Sequence, residues 1–133
     1  MKMHPVVHFE LPAENQKRMS AFYTRAFGWK TQQLGPTMGD YVLVTTTQSD
    51  AKGPKRRGAI NGGFYKKEAD KPLQYPSVVI PVPDIKKHMK IVKGAGGKVL
   101  GEPVDIPGYG IYVSFIDTEG NRIGMMQPRM GKD

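Results

Sequence analysis

The chain repeats itself at an offset of 69 residues, and this repeat limits its folding more than any other feature. Pro12 recurs as Pro81 (81 − 12 = 69), and Gly28 recurs as Gly97 at the same offset. Val42-Leu43-Val44-Thr45 aligns with Ile111-Tyr112-Val113-Ser114, again without a gap. A duplication reuses one packing solution, with two copies related by a pseudo-two-fold axis. Function is then expected on the surface that the two copies enclose.

Each half reads as strand, helix and a run of strands. Val6 to Leu11 alternates as a strand, with Val7, Phe9 and Leu11 on one face and Val6, His8 and Glu10 on the other. Pro12-Ala13 is expected to end it. Asn15 to Phe27 carries Met19, Phe22, Tyr23, Ala26 and Phe27 at the spacing of an amphipathic helix. Gly28 supplies the left-handed stop. Trp29 to Leu34, Tyr41 to Thr47 and Ala59 to Tyr65 read as strands, with Gln48 to Gly58 as a loop and Lys66 to Tyr75 as the connection between halves.

The second half restarts at Ser77. Asp84 is placed to cap a helix that runs to about Gly94 and presents Ile85, His88, Met89 and Val92 on one stripe. Lys98 to Leu100, Ile111 to Ile116 and Arg122 to Gln127 read as strands, with Asp117-Thr118-Glu119-Gly120-Asn121 as a turn. Arg129 to Asp133 reads as a frayed tail. The predicted class is α+β: two βαβββ modules, residues 5–66 and 75–127, forming a curved mixed sheet around a cup within a single domain of residues 1–133.

Composition excludes several classes. With 133 residues the chain is long enough for one domain with a core. It has no cysteine, so disulfides, thiolate metal sites and cysteine nucleophiles are ruled out. No apolar run approaches the ~18 residues of a membrane helix. The opening Met1-Lys2-Met3-His4-Pro5 lacks a signal-peptide stretch, so a cytoplasmic location and no membrane partner are expected. The net charge of +8 and the pI near 9.7 point to anionic partners. The basic residues are spread along the chain. Their densest cluster, Lys52, Lys55, Arg56 and Arg57, falls in the Gln48 to Gly58 loop and reads first as a solvated surface.

His8-Phe9-Glu10-Leu11, the helix end Ala21-Phe22-Tyr23 with Phe27-Gly28-Trp29, the Asn61-Gly62-Gly63 strand and the Asp117 to Asn121 turn resemble small glyoxalase-like bacterial proteins. These belong to the vicinal oxygen chelate superfamily of glyoxalase I, bleomycin-resistance proteins and extradiol dioxygenases. The resemblance spans residues 5–127. It implies that fold, and it implies four metal-ligand positions, which fall here on His8, Asn61, Ser77 and Gly124. A carboxylate is usual at the second and fourth of these positions, and a histidine or glutamate at the third. Only His8 matches. No metal and no other cofactor are therefore expected, and carbonyl chemistry that needs a metal electrophile lacks it.

The remaining candidates come from strand geometry. His8 and Glu10 are two apart on a strand and point the same way. A carboxylate beside an imidazole raises its pKa and can orient it as a general base, so this pair is the candidate catalytic couple. Asn61, Gly63 and Tyr65 share a face, and the paired glycines leave room for a ligand or a close backbone approach, or mark a bulge that bends the strand. Ser77, Gly124 and Met126 line the corresponding surface of the second half. Tyr109, within Pro107-Gly108-Tyr109-Gly110, sits in a lid or a plain turn. His88 reads as a packing residue, Trp29 as a core or interface anchor, and His4 as uninformative. Gly94-Ala95-Gly96-Gly97 follows a helix and is not a phosphate loop.

The leading expectation is a protein that binds a small anionic molecule in the cup, with His8 and Glu10 as an acid/base pair if it acts as a metal-independent lyase or isomerase. A non-catalytic sequestering protein of bleomycin-resistance type stands beside it. A metal-dependent glyoxalase I-like lyase or dioxygenase and a basic nucleic-acid-associated protein rank below. A homodimer is expected, because a sheet open on one side leaves edges and apolar surface to cover.

Overall fold

The computed structural model describes residues 2–129. The chain forms two compact units: His8–Pro76, and the segment ending at Val7 joined to the chain from Ser77 onward. Val7 N donates to Val79 O at 3.3 Å, which ties this segment to the second unit.

The first unit runs β1 (His8–Ala13), α1 (Gln16–Phe27), β2 (Lys30–Gln33), a 3-10 turn (Pro36–Met38), β3 (Val42–Thr45), β4 (Ser49–Asp50), β5 (Gly53–Pro54) and β6 (Asn61–Lys66). Its mixed sheet has the order β2-β3-β6-β1. β1 and β6 are parallel, with His8 opposite Asn61 and Glu10 opposite Gly63. β3 is antiparallel to both β6 and β2. β1 ends at Ala13, within the Pro12-Ala13 pair expected to stop it, and the Ala13 carbonyl accepts from Lys67 N at 2.9 Å.

The helix begins where the sequence places a cap. Asn15 is extended and its side chain accepts from Arg18 N at 2.9 Å. Gly28, at φ 73°, ends the helix in the left-handed region. Met19 and Tyr23 on α1 pack with Phe9, Leu11 and Trp29 on a core of Ala13, Val42, Val44 and Phe64. Tyr23 stacks on Trp29 at 4.6 Å with ring planes 8° apart. Trp29 is thus a core anchor, whereas Phe22 and Phe27 are 57% and 65% exposed.

The second unit runs β7 (Ser77–Pro81), α2 (Ile85–Gly94), β8 (Lys98–Ile106), β9 (Gly110–Ile116) and β10 (Arg122–Pro128), with the sheet order β7-β10-β9-β8. β7 is parallel to β10, and β9 is antiparallel to β8 and β10. The cap is reused: Asp84 accepts from Lys87 N at 3.1 Å, 69 residues after its Asn15 counterpart (84 − 15 = 69). Val82, Ile85, Val113 and Met125 form the core, flanked by Met89 and Val92. His88 packs edge-on against His4 at 4.8 Å, so His4 has a place that its position in the sequence did not reveal. The expected frayed tail lies, except for Arg129, outside the described residues.

One register expectation is corrected. Leu43 pairs with Gly63, which lies opposite Glu10, and Ser114 pairs with Gly124, which lies opposite Val79. Glu10 and Val79 keep the offset of 69 (79 − 10), yet Leu43 corresponds to Ser114 at 71 (114 − 43) and Gly63 to Gly124 at 61 (124 − 63). The segments between helix and third strand differ by two residues. The first holds the Pro36–Met38 turn, whereas the second is the long β8 with a shift in register between Leu100 and Val104.

Candidate functional site

In the first unit, Phe9, Leu11 and Phe64 turn toward the helix, so the alternation of strands sends His8, Glu10, Asn61, Gly63 and Tyr65 to the opposite face. Tyr41 joins them there. Its backbone is fixed by Leu34 N, which donates to Tyr41 O at 2.8 Å. The preceding Asp40 adopts φ 57°, a conformation that aspartate tolerates better than most residues. The amides of Gln16 and Gln33 each donate to Asp40 O at 2.7 Å and hold the bend. The tyrosine ring then lies over Gly63, where a Cβ would collide with it. The glycine is a close-approach site for an aromatic ring, and the space above it is taken by Tyr41.

The Tyr41 hydroxyl links the candidate pair. It donates to Glu10 Oε2 at 2.9 Å and lies 2.9 Å from His8 Nε2. A phenol has one proton. With that proton directed at the Glu10 carboxylate, the phenol oxygen is left to accept from His8, an arrangement that calls for the imidazole proton on Nε2 and the lone pair on Nδ1. Glu10 does act to raise the His8 pKa, as its spacing leads one to expect, but it is not the larger effect. Burial lowers it and outweighs the opposing Coulomb effect of Glu10. Burial thus favours the neutral imidazole, the form that a base requires.

The other residues have local tasks. Asn61 Oδ1 accepts from Thr46 N at 2.9 Å, and its Nδ2 donates to Ser49 Oγ at 2.9 Å, fastening the β4–β5 hairpin to β6. Lys52, Lys55, Arg56 and Arg57 are exposed on and just after that hairpin. Tyr65 Oη donates to Tyr75 O at 3.4 Å.

In the second unit, Ser77, Gly124 and Met126 share the face away from α2, while Met125 lies in the core. Ser77 Oγ donates to Arg122 O at 2.8 Å. Gly124 lies beneath Tyr112, whose hydroxyl would be 2.5 Å from an added Cβ. Met126 O accepts from Val82 N at 2.8 Å. Tyr109 sits in the β8–β9 turn, donating to Ile106 O at 2.9 Å and accepting from Arg129 N at 3.0 Å. Sequence reasoning missed Tyr41 and Arg122. The usable signal for Tyr41 was a glycine facing a ligand surface within a strand, which calls for a bulky neighbour.

The family model described as Glyoxalase/Bleomycin resistance protein/Dioxygenase superfamily matches residues 6–125. The chain belongs to that superfamily. A glyoxylase-like domain-containing protein of Didymella fabae is 31% identical over 114 residues, covering 84% of each chain. Methylmalonyl-CoA epimerase from Mycobacterium tuberculosis superimposes with a TM-score of 0.67 at 11% identity, covering 93% of this chain and 87% of the epimerase. A methylmalonyl-CoA epimerase in complex with methylmalonyl-CoA and NH4+ gives 0.70 at 12% identity, covering 97% of each chain. These two likenesses are of fold.

The four ligand positions implied by the superfamily do not make a metal site in this chain. His8 Nε2 is turned to Tyr41, and both ends of the Asn61 amide are used by Thr46 and Ser49. The Ser77 hydroxyl donates to a carbonyl, and Gly124 has no side chain. By register, the position equivalent to Gly124 is Gly63 and not Asn61, so glycine stands at both. Among the described residues, no three His, Cys, Asp or Glu side chains converge. No helix among them is long and apolar enough to cross a membrane.

Proposed function

We propose that the chain binds a small anionic organic molecule on the face of the first unit that carries His8, with His8 Nδ1 as the acceptor for an acidic proton of that molecule. The observation that carries this reading is the His8–Tyr41–Glu10 chain of two 2.9 Å hydrogen bonds. It fixes ring orientation and tautomer, the two things a general base needs before its pKa matters. If the bound molecule has a C–H beside a carbonyl, the proton moves to Nδ1 and the imidazolium is stabilised by the Glu10 carboxylate through Tyr41. Where the carbon that loses the proton carries a hydroxyl, transfer of the hydroxyl proton to the carbonyl oxygen and return of the proton from Nδ1 to the former carbonyl carbon gives an isomerase, and expulsion of a group β to the carbonyl gives a lyase. The basic balance of the chain supports an anionic ligand. The complexed epimerase of similar fold holds a ligand of that charge class, methylmalonyl-CoA.

The test is calorimetric titration with a panel of small carboxylates and their thioesters, methylmalonyl-CoA included, followed by solvent deuterium exchange into whichever member binds. One binder is expected, weakened about two- to tenfold by H8A, because a hydrogen bond to a neutral imidazole contributes about 0.5–1.5 kcal/mol. Binding that survives H8A unchanged would refute the site. Binding without deuterium exchange would leave a sequestering protein in place of an enzyme. A homodimer in the cytoplasm belongs to the same reading, and the exposure of Phe22 and Phe27 supports the dimer. A monomeric mass by light scattering would remove the dimer.

A further inference from the structure

The second unit places a different group at the position that faces Ser77. In the first unit His8 lies opposite Asn61, whose amide is consumed by the hairpin. Gly124 lies opposite Val79 in the second unit, so the same ladder continued two residues back brings Arg122 opposite Ser77. The Ser77 hydroxyl donating to Arg122 O at 2.8 Å fits that pairing. The duplication thus exchanges a neutral amide for a guanidinium on the face away from the helix.

Arg122 is half-buried. One of its N–H groups, on Nη2, donates to Ser114 Oγ at 3.2 Å. Ser114 is itself only 7% exposed, and its hydroxyl proton goes to Tyr112 Oη at 3.3 Å. The Tyr112 ring is in turn seated over Gly124. The guanidinium is therefore oriented by a neutral chain from serine to tyrosine to glycine. Among the described residues no carboxylate lies within ion-pair distance of it; the two ion pairs found are Lys67–Glu14 and Lys71–Glu68. A guanidinium has five N–H donors in a rigid fork. A half-buried one that is positioned by a neutral hydroxyl and lacks a counter-ion is an incomplete ion pair.

We infer that Arg122 is the anchor of an oxyanion-binding site on the second unit, taking a carboxylate or phosphate group through paired N–H donors, with Ser114 as its positioning residue. The site is distinct from the His8 couple in residues and in chemistry: His8 offers a lone pair, and Arg122 offers donors and charge. The inference does not depend on the His8 reading.

The test titrates the full chain with sodium malonate and, separately, with inorganic phosphate while following the arginine Nε–Hε resonances by NMR. The Arg122 signal, assigned by its loss in R122Q, is expected to move with at least one anion, and the responding anion names the class. R122Q is expected to weaken binding about tenfold or more, as loss of a charged hydrogen-bonded pair requires. R122K keeps the charge without the fork and should bind with intermediate strength. S114A is expected to weaken binding less than R122Q, with R122K-like retention of charge. An Arg122 signal unmoved by both anions in the wild-type chain would overturn the inference without reliance on any variant. So would equal affinity in wild type and a folded R122Q, which would mark the anion as bound elsewhere.

Discussion

Tyr41→Phe removes one oxygen and tests the link between His8 and Glu10. The ring stays over Gly63, so no cavity opens and packing changes little. Two 2.9 Å hydrogen bonds are lost, one to a carboxylate and one to a neutral imidazole. Net contributions are about 1.5–3 kcal/mol for a bond to a charged group and about 0.5–1.5 for a neutral one. Both partners are only partly buried, so water replaces some of the loss, and a destabilisation of about 2 kcal/mol is expected. With a urea dependence of about 1–3 kcal/mol/M, the unfolding midpoint should fall by about 1 M at unchanged slope. Tyr109→Phe is the control. Tyr109 lies in the exposed β8–β9 turn, and its variant should stay within about 0.5 kcal/mol of wild type. If the two variants unfold together, the phenol does not link the pair and the reasoning fails.

Three further outcomes follow from the same contacts. His8 has its folded pKa below the unfolded value of 6.5, so the unfolded chain binds more protons between the two values. Its contribution to stability is complete above pH 6.5 and is lost as pH falls from there through the folded pKa; urea midpoints should drop over that window, more steeply in E10Q, which removes the opposing Coulomb effect, and less in H8Q. Asn15→Ala and Asp84→Ala remove equivalent caps and should each cost about 1 kcal/mol by chemical denaturation, and a large inequality would deny that the two helices start alike. Gly63→Ala must displace the Tyr41 ring, so it should cost about 1–3 kcal/mol and shift the His8 ring signals, whereas Gly28→Ala should cost about 1 kcal/mol through its positive φ and leave them in place.

The features legible in the sequence are those set by local chemistry. Asn15 and Asp84 announce both helix starts, and strand alternation places His8 and Glu10 on one face with Phe9 and Leu11 on the other. The parity of the repeat survives even where its offset does not: a two-residue difference returns Leu43 and Ser114 to the same face. The lengths of connections were less legible. The first unit inserts a hairpin before β6 where the second has only the Asp117 turn, and this shifts the equivalence of the last strands. The site was half legible. Glu10 near His8 follows from spacing, but the net direction of the His8 pKa depends on burial, which no spacing reveals. Tyr41 reaches the pair through the bend at Asp40 and the glutamine amides that hold it, a tertiary arrangement with no local signature. Arg122 read as an ordinary strand residue because its significance lies in the carboxylate it lacks.

The proposed base is a neutral His8 with its proton on Nε2 and its lone pair on Nδ1. Nitrogen-15 NMR of the imidazole at pH 7.5 reads this directly, with H8Q identifying the resonances. The predicted spectrum shows a protonated-type shift at Nε2 and an unprotonated-type shift at Nδ1, changing to the Nδ1–H or averaged pattern in Tyr41→Phe. A wild-type spectrum with the proton on Nδ1, or with both nitrogens protonated, would contradict the hydrogen-bond chain and the base assigned to it.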